Sequence, residues 1–444
     1  MTTTLPVVDP QGLDDDGSDQ NSGYRLAGGV AAVLTAFFVV RPSLDNLTTF
    51  EVGPNLNTVV GGALLALLAG WLVVLATDPG FVLPAPAAAS LALGFAAVAS
   101  ALGSADPIFS ASMALRVVTA SLVFVAAEQL THARPAVAAR LVIAVVAGLG
   151  LTAIVAIGQL AEWIPLPTDD SLDNSRVPGP FPAPTVFATC MVICVVLIVG
   201  LGPLWWRRAP NLIWVLGPVA IGFTYLLLAN GSRSPLGALL LGLVVTAVVQ
   251  RRTLLLAPVV AVAAGVMVLR PSLLDRFFEV FDTSEGNVLI GAETNTMVFR
   301  LRYWERNLPR VDESPLIGIG IGRVEQVNGE GFPPHSTTVQ SLVEMGAIGL
   351  IAHYLFILIL AVALFRAVRR TTSMRVRTYL SVAVGLSVGY FAMSFFENLL
   401  TQVVTTAPLA AVVGLALGLE RAERAGRIPS SAAPSSGGSS MVSS

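Results

Sequence analysis

The chain has 444 residues, of which 54% are hydrophobic and 12% charged, and its mean hydropathy is +0.76. Length alone would allow about two or three soluble domains; this composition excludes them and describes a polytopic membrane protein. The net charge of −2 points to no nucleic acid, and all 26 basic residues are arginines, so any cationic ligand contact must be a guanidinium, a bidentate phosphate binder that keeps its charge.

Residues 1–24 are polar and acidic without a positively charged region. They are expected to form a disordered segment with no cleavable signal, leaving the first apolar helix as the insertion signal. About twelve apolar segments follow, each long enough to cross roughly 30 Å of hydrocarbon, some with help from their flanks. They fall near 26–40, 58–77, 81–103, 108–130, 136–160, 184–203, 212–229, 235–249, 253–269, 338–365, 377–397 and 403–419. The two at 235–249 and 253–269 are short and have polar ends. Cys190 and Cys194 lie one helical turn apart in an apolar run and read as packed thiols.

The expected fold is therefore an all-α polytopic membrane protein with about 12 transmembrane helices. Its order is a disordered N-terminus (1–24), nine helices (25–269), one large polar loop (270–335), three helices (336–420) and a tail (421–444). From about Ile428 the tail is rich in Ser, Gly, Ala and Pro, the composition of a flexible segment.

Alternate connections carry the basic clusters: Arg134 with Arg140, Arg207 with Arg208, Arg251 with Arg252, the run Arg366–Arg377, and the tail. The other connections are poor in arginine or rich in acid, apart from a few arginines in conspicuous motifs. Short cytoplasmic loops collect positive charge, so both termini are expected in the cytoplasm. Arg176, the turn around Arg233 and the long loop are expected outside it.

Arg233 sits in a tight NGSRSP turn, with Pro235 suited to the first turn of the next helix. An arginine snorkelling to headgroups is the plain alternative, but this is the side on which arginine is otherwise sparse, which favours a ligand. In the run 299–310, Arg302, Arg306 and Arg310 recur every four residues and Arg300 lies near Trp304, so a helix would present a cationic surface; Arg306 and Arg310 read as solvated. Gly318, Gly320 and Gly322 lack the preceding strand of a nucleotide site and read as a flexible or tightly turning loop beside a ligand. His335 follows two prolines and opens an apolar helix. It is the one histidine expected on the outer side, where neighbouring arginines would keep it neutral and able to accept a proton; an ordinary surface histidine is the alternative. Arg116 falls inside an apolar segment, which predicts that it faces the bundle interior or a wet cavity, with Glu128 too far along the same helix to be its partner. His353 and the pair Glu397–Asn398 are weaker cases of the same kind. Gly346 and Gly349 read as close helix packing.

Taken together, these motifs resemble the O-antigen ligase and O-antigen polymerase family of bacterial envelope glycosyltransferases, polytopic enzymes of the GT-C class. The resemblance rests on Arg176, Gly179, Phe181 and Pro184; on Ser232–Arg233; on Arg300 four residues before Trp304; on Pro315, Leu316, Gly318 and Gly320; and on His335 followed by Glu344, Gly346 and Gly349. It spans about Arg176–Leu350, and the first five helices match only in hydropathy. Thr185 and Ser336 stand where the family often has Asn.

The resemblance implies transfer of a glycan from a polyprenyl-diphosphate donor to a hydroxyl of a glycan, lipid or protein acceptor outside the cytoplasmic membrane. No metal or other cofactor is implied, and inversion at the anomeric carbon is. His335, Arg233 and Arg300 would act at the reacting centre, and Arg176, Arg302, Trp304, Arg116, Ser232 and Glu344 would contact substrate. A flippase for the same lipid, or a scaffold whose cationic loop binds a partner protein, are the rival readings.

Overall fold

In hydrocarbon every backbone N–H and C=O must find its partner within the protein, which turns each apolar segment into a helix. The computed structural model describes residues 26–48, 56–78, 81–165, 177–269 except 182, and 297–428 except 330 and 332; among these, all regular structure is helical. Among the described residues, ten helices are long and apolar enough to cross a membrane, and two shorter apolar stretches, Ala27–Pro42 and Thr253–Gly265, fall at two others of the expected segments. In chain order the helices are α1 (Ala27–Thr48), α2 (Leu56–Ala76), α3 (Ala85–Leu102), α4 (Pro107–Ala133), α5 (Val137–Leu160), α6 (Pro184–Arg208) and α7 (Ile213–Asn230). They continue as α8 (Arg233–Gln250), α9 (Leu256–Leu269), α10 (Met297–Asn307), α11 (Arg323–Val327), α12 (Thr337–Arg370), α13 (Met374–Ser394) and α14 (Val403–Arg424). The short α10 and α11 belong to the polar stretch between α9 and α12.

The core is built by α14 lying along α4, α13 along α8, α3 along α4 and α1 along α5. Small residues set the closest of these crossings, as they do where lipid supplies no hydrophobic drive between helices. A Cβ at Gly414 would stand 2.4 Å from the carbonyl oxygen of Phe124, and one at Gly418 2.3 Å from that of Glu128. Thr131 donates across the same contact to the Leu415 carbonyl at 3.2 Å. At the end of this crossing Glu128, 1% exposed, pairs with Arg421 at 3.2 Å, so its partner is on α14.

The apolar run 338–365 reads as one unbroken helix, yet α12 is interrupted at Gly346, where φ is 64° and ψ −164°. That backbone region is essentially reserved for glycine. The interruption frees carbonyls and amides that hydrocarbon could not satisfy, and the segment Pro315–Gly320 takes them up. Ile319 and Gly320 donate to the carbonyls of Val343 and Glu344, while Ala347 and Ile348 donate to those of Pro315 and Leu316, over 2.9–3.2 Å. Gly346 is therefore a backbone break clasped by a loop, not only a place of close packing. A Cβ there would lie 2.4 Å from the carbonyl carbon of Leu316. Gly346→Ala should cost about 3 kcal/mol or more of stability, read as a lowered melting temperature in detergent; an unchanged melting curve would contradict the clasp.

Candidate active site

The short segment Phe396–Leu399, between α13 and α14, is where the two arginine motifs meet. Glu397 and Asn398 are both 6% exposed. Arg300, presented by α10, donates from Nη1 to the Phe396 carbonyl at 2.6 Å, and its Nη2 lies 3.6 Å from Glu397 Oε1. The Phe396 ring packs 5.9 Å from the guanidinium carbon. Ser234, the residue after Arg233, donates to the same carboxylate oxygen at 2.7 Å. Glu397 thus links the start of α8 to α10. Burial lowers the Arg300 pKa and Glu397 opposes that fall; a guanidinium remains charged under either influence.

His335 stands at the head of α12 in a left-handed conformation with φ 52°, unusual for a residue other than glycine. Both flanking peptide groups are anchored. Before it, Trp304 Nε1 donates to the Pro334 carbonyl at 2.7 Å. After it, the Ser336 amide donates to Asn398 Oδ1 at 2.9 Å, while the Ser336 hydroxyl accepts from Val339 N–H as the helix N-cap. Thr337 Oγ1 donates to the Glu397 carbonyl at 2.8 Å and accepts from Leu399 N–H at 3.1 Å. The Tyr303 ring, 3% exposed, lies 6.4 Å from the imidazole centroid to centroid. Burial first, and the nearby Arg300 charge second, push the His335 pKa down from 6.5 to about 4. The imidazole is neutral at physiological pH and can accept a proton.

The remaining expected residues fall into three places. Ser232 is buried at the N-cap of α8, and its hydroxyl has no hydrogen-bond partner among the described residues. Arg233, partly exposed, opens that helix. One turn earlier, Asn230 is fully buried and donates to the carbonyls of Val177 and Pro184 at 2.7 and 3.0 Å. Gln159 and Gly179 exchange two hydrogen bonds of 3.0 Å. These two amides bring the Val177–Phe181 loop to the turn that carries Arg233; Arg176 itself lies outside the described residues.

Arg302 and Arg306 are exposed on α10, and Arg310 is tied to the Val327 carbonyl at 2.7 Å and to Glu313 at 3.4 Å. Arg116 is exposed on α4 and does not turn into the bundle interior. It lies close enough to Glu325 on α11 to favour that carboxylate, whose pKa burial nevertheless raises. Glu344, 1% exposed, accepts from the amides of Gly322 and Val324 at 2.8 and 3.2 Å. The glycine-alternating turn is therefore wrapped around Glu344, and its glycines face protein: a Cβ at Gly318 would lie 2.2 Å from the Glu344 backbone.

Glu397, Asn398, Ser234 and Tyr303 are the site residues that motif reading undervalues. Their only signal is an acidic residue in an arginine-poor connection, on the same side as the arginine motifs. Residues 218–354 match the family model described as O-antigen ligase, a stretch that contains Arg233, Arg300, Trp304, His335 and Glu344 and stops short of Glu397. No curated protein matches the chain.

Proposed function

We propose, from the match of residues 218–354 to the O-antigen ligase family model, that this membrane protein transfers a glycan from a polyprenyl diphosphate to an acceptor hydroxyl on the outer side of the cytoplasmic membrane. A glycosyltransferase-like ligase or polymerase is what the family supports; the donor, the mechanism and the side of the membrane are the proposal. One observation carries it: Arg300 and Ser336, the residue after His335, are fastened to the same four-residue segment, although about 120 Å of fully extended chain would separate Arg300 from His335.

Arg300 and Arg233 grip the diphosphate, with Arg176 as a further contact. The acceptor oxygen forms its bond to the anomeric carbon as the bond from that carbon to the diphosphate breaks. The electron pair leaves on the diphosphate, and the acceptor proton passes to the His335 imidazole. Fixed guanidinium forks stabilise the charge that grows on the leaving group, and a neutral imidazole is the form that can take the proton. Direct displacement inverts the anomeric centre. Glu344 supports the site by holding the glycine turn, and Trp304 by holding the peptide before His335. Ser232, Arg302 and Arg116 border the same end of the bundle as candidate contacts for the glycan or the acceptor. The alternation of arginine-rich and arginine-poor connections supports the reading that this end lies outside the cytoplasm. A transporter would be expected to hold its ligand near mid-depth, whereas this cluster sits at helix ends.

The test is the profile of lipid-linked glycans in a strain lacking the protein. Accumulated single repeat units identify a polymerase, and accumulated finished polymer a ligase. A profile identical to wild type would sink both.

A further inference from the structure

His335 is held in a backbone conformation that a histidine rarely adopts, so something must over-determine it. Two hydrogen bonds do so, one on each side. Trp304 secures the carbonyl of Pro334, and Asn398 secures the amide of Ser336. The second comes from a side chain that is 6% exposed and belongs to the segment that also receives Arg300. Resting on the reading of His335 as the base, we propose that Asn398 is the positioning residue that fixes His335 against the Arg300 centre.

The residue type supports this. Only an acceptor can hold the Ser336 amide, so the Asn398 carboxamide must present its oxygen there, which leaves Nδ2 buried and without a partner among the described residues. An unsatisfied buried donor is unfavourable, and an aspartate in this place would accept the same N–H without that cost. Aspartate would, however, set a negative charge beside the imidazole and favour its protonated form. The other groups facing His335 are the Arg300 guanidinium, with Glu397 behind it, and the Tyr303 ring. A neutral amide holds the turn while leaving that balance on the side of the free base.

The experiment uses the full-length protein in lipid nanodiscs and two variants, Asn398→Ala and Asn398→Asp. Two readouts are taken: the rate at which diethyl pyrocarbonate labels His335, followed by peptide mass spectrometry, and the pH profile of glycan transfer. Asn398→Ala should speed labelling of His335 and lower kcat, each by about tenfold, the size of effect one lost hydrogen bond supports, with KM for the donor little changed. Asn398→Asp should keep the slow labelling and move the acid limb of the transfer profile upward by about one pH unit. Unaltered labelling and kcat in Asn398→Ala would overturn the proposal. So would an unmoved acid limb in Asn398→Asp, which decides the matter if the alanine variant does not fold. Faster labelling with undiminished transfer would leave Asn398 as the holder of His335 and remove His335 from the role of base.

Discussion

Replacing His335 by alanine is expected to lower transfer by about 10²- to 10⁴-fold, the range for a positioned general base, while the lipid-linked donor still binds. Binding is measured with radiolabelled donor on the purified protein, and transfer in the same preparation. The arginines proposed to grip the diphosphate are untouched by the change, so a variant that loses both binding and transfer would point to a collapsed head of α12 and away from lost base catalysis. The pH dependence follows from the direction of the shift. With the folded pKa lowered to about 4, the imidazole is unprotonated above that value, and the base form disappears only as pH falls through about 4. The acid limb of kcat/KM in the wild type should accordingly lie well below the 6.5 of an ordinary histidine. A limb at 6.5 would mean that water reaches the imidazole freely and that Arg300 does not act on it.

Replacing Arg300 by alanine should have two separable consequences. Transfer should fall by about 10²- to 10³-fold, as expected when a preorganised stabiliser of developing charge is removed. Stability should fall as well, by about 3–5 kcal/mol, because the buried Glu397 carboxylate, whose side chain is 8% exposed, loses the guanidinium that faces it. Adding Glu397→Gln to Arg300→Ala removes that charge and should recover most of the stability in detergent melting. Transfer should not return. Recovery of both would make Arg300 a structural arginine and leave the diphosphate without its principal contact.

Hydropathy alone located the spans, because each needs its own run of apolar residues, and the charge of the connections paired Arg233, Arg300 and His335 on one side. What sequence could not display is the hub that gathers them. Ser234 reaches Glu397 across 163 residues of chain, and Arg300 reaches Phe396 across 96; nothing local to Glu397 announces either partner. Arg116 read as facing the bundle interior or a wet cavity because its neighbours in the chain are apolar; its side chain is exposed, near enough to Glu325 of α11 to act on that carboxylate. The interruption of α12 was equally hidden. Apolar residues continue through it without a gap, and a glycine within a helix reads as packing until the segment that crosses it is known.

The clasp at Gly346 bears on the motion of the site. A helix start normally frays, opening and closing its first turns, and the head of α12 is where His335 is mounted. Here Pro315–Gly320 is hydrogen-bonded on both sides of the interruption, like a splint laid across a joint. Unwinding the first turns of α12 would have to displace the splint as well, and with it the turn wound around Glu344. The imidazole therefore sits at the head of a helix that is braced two turns further on.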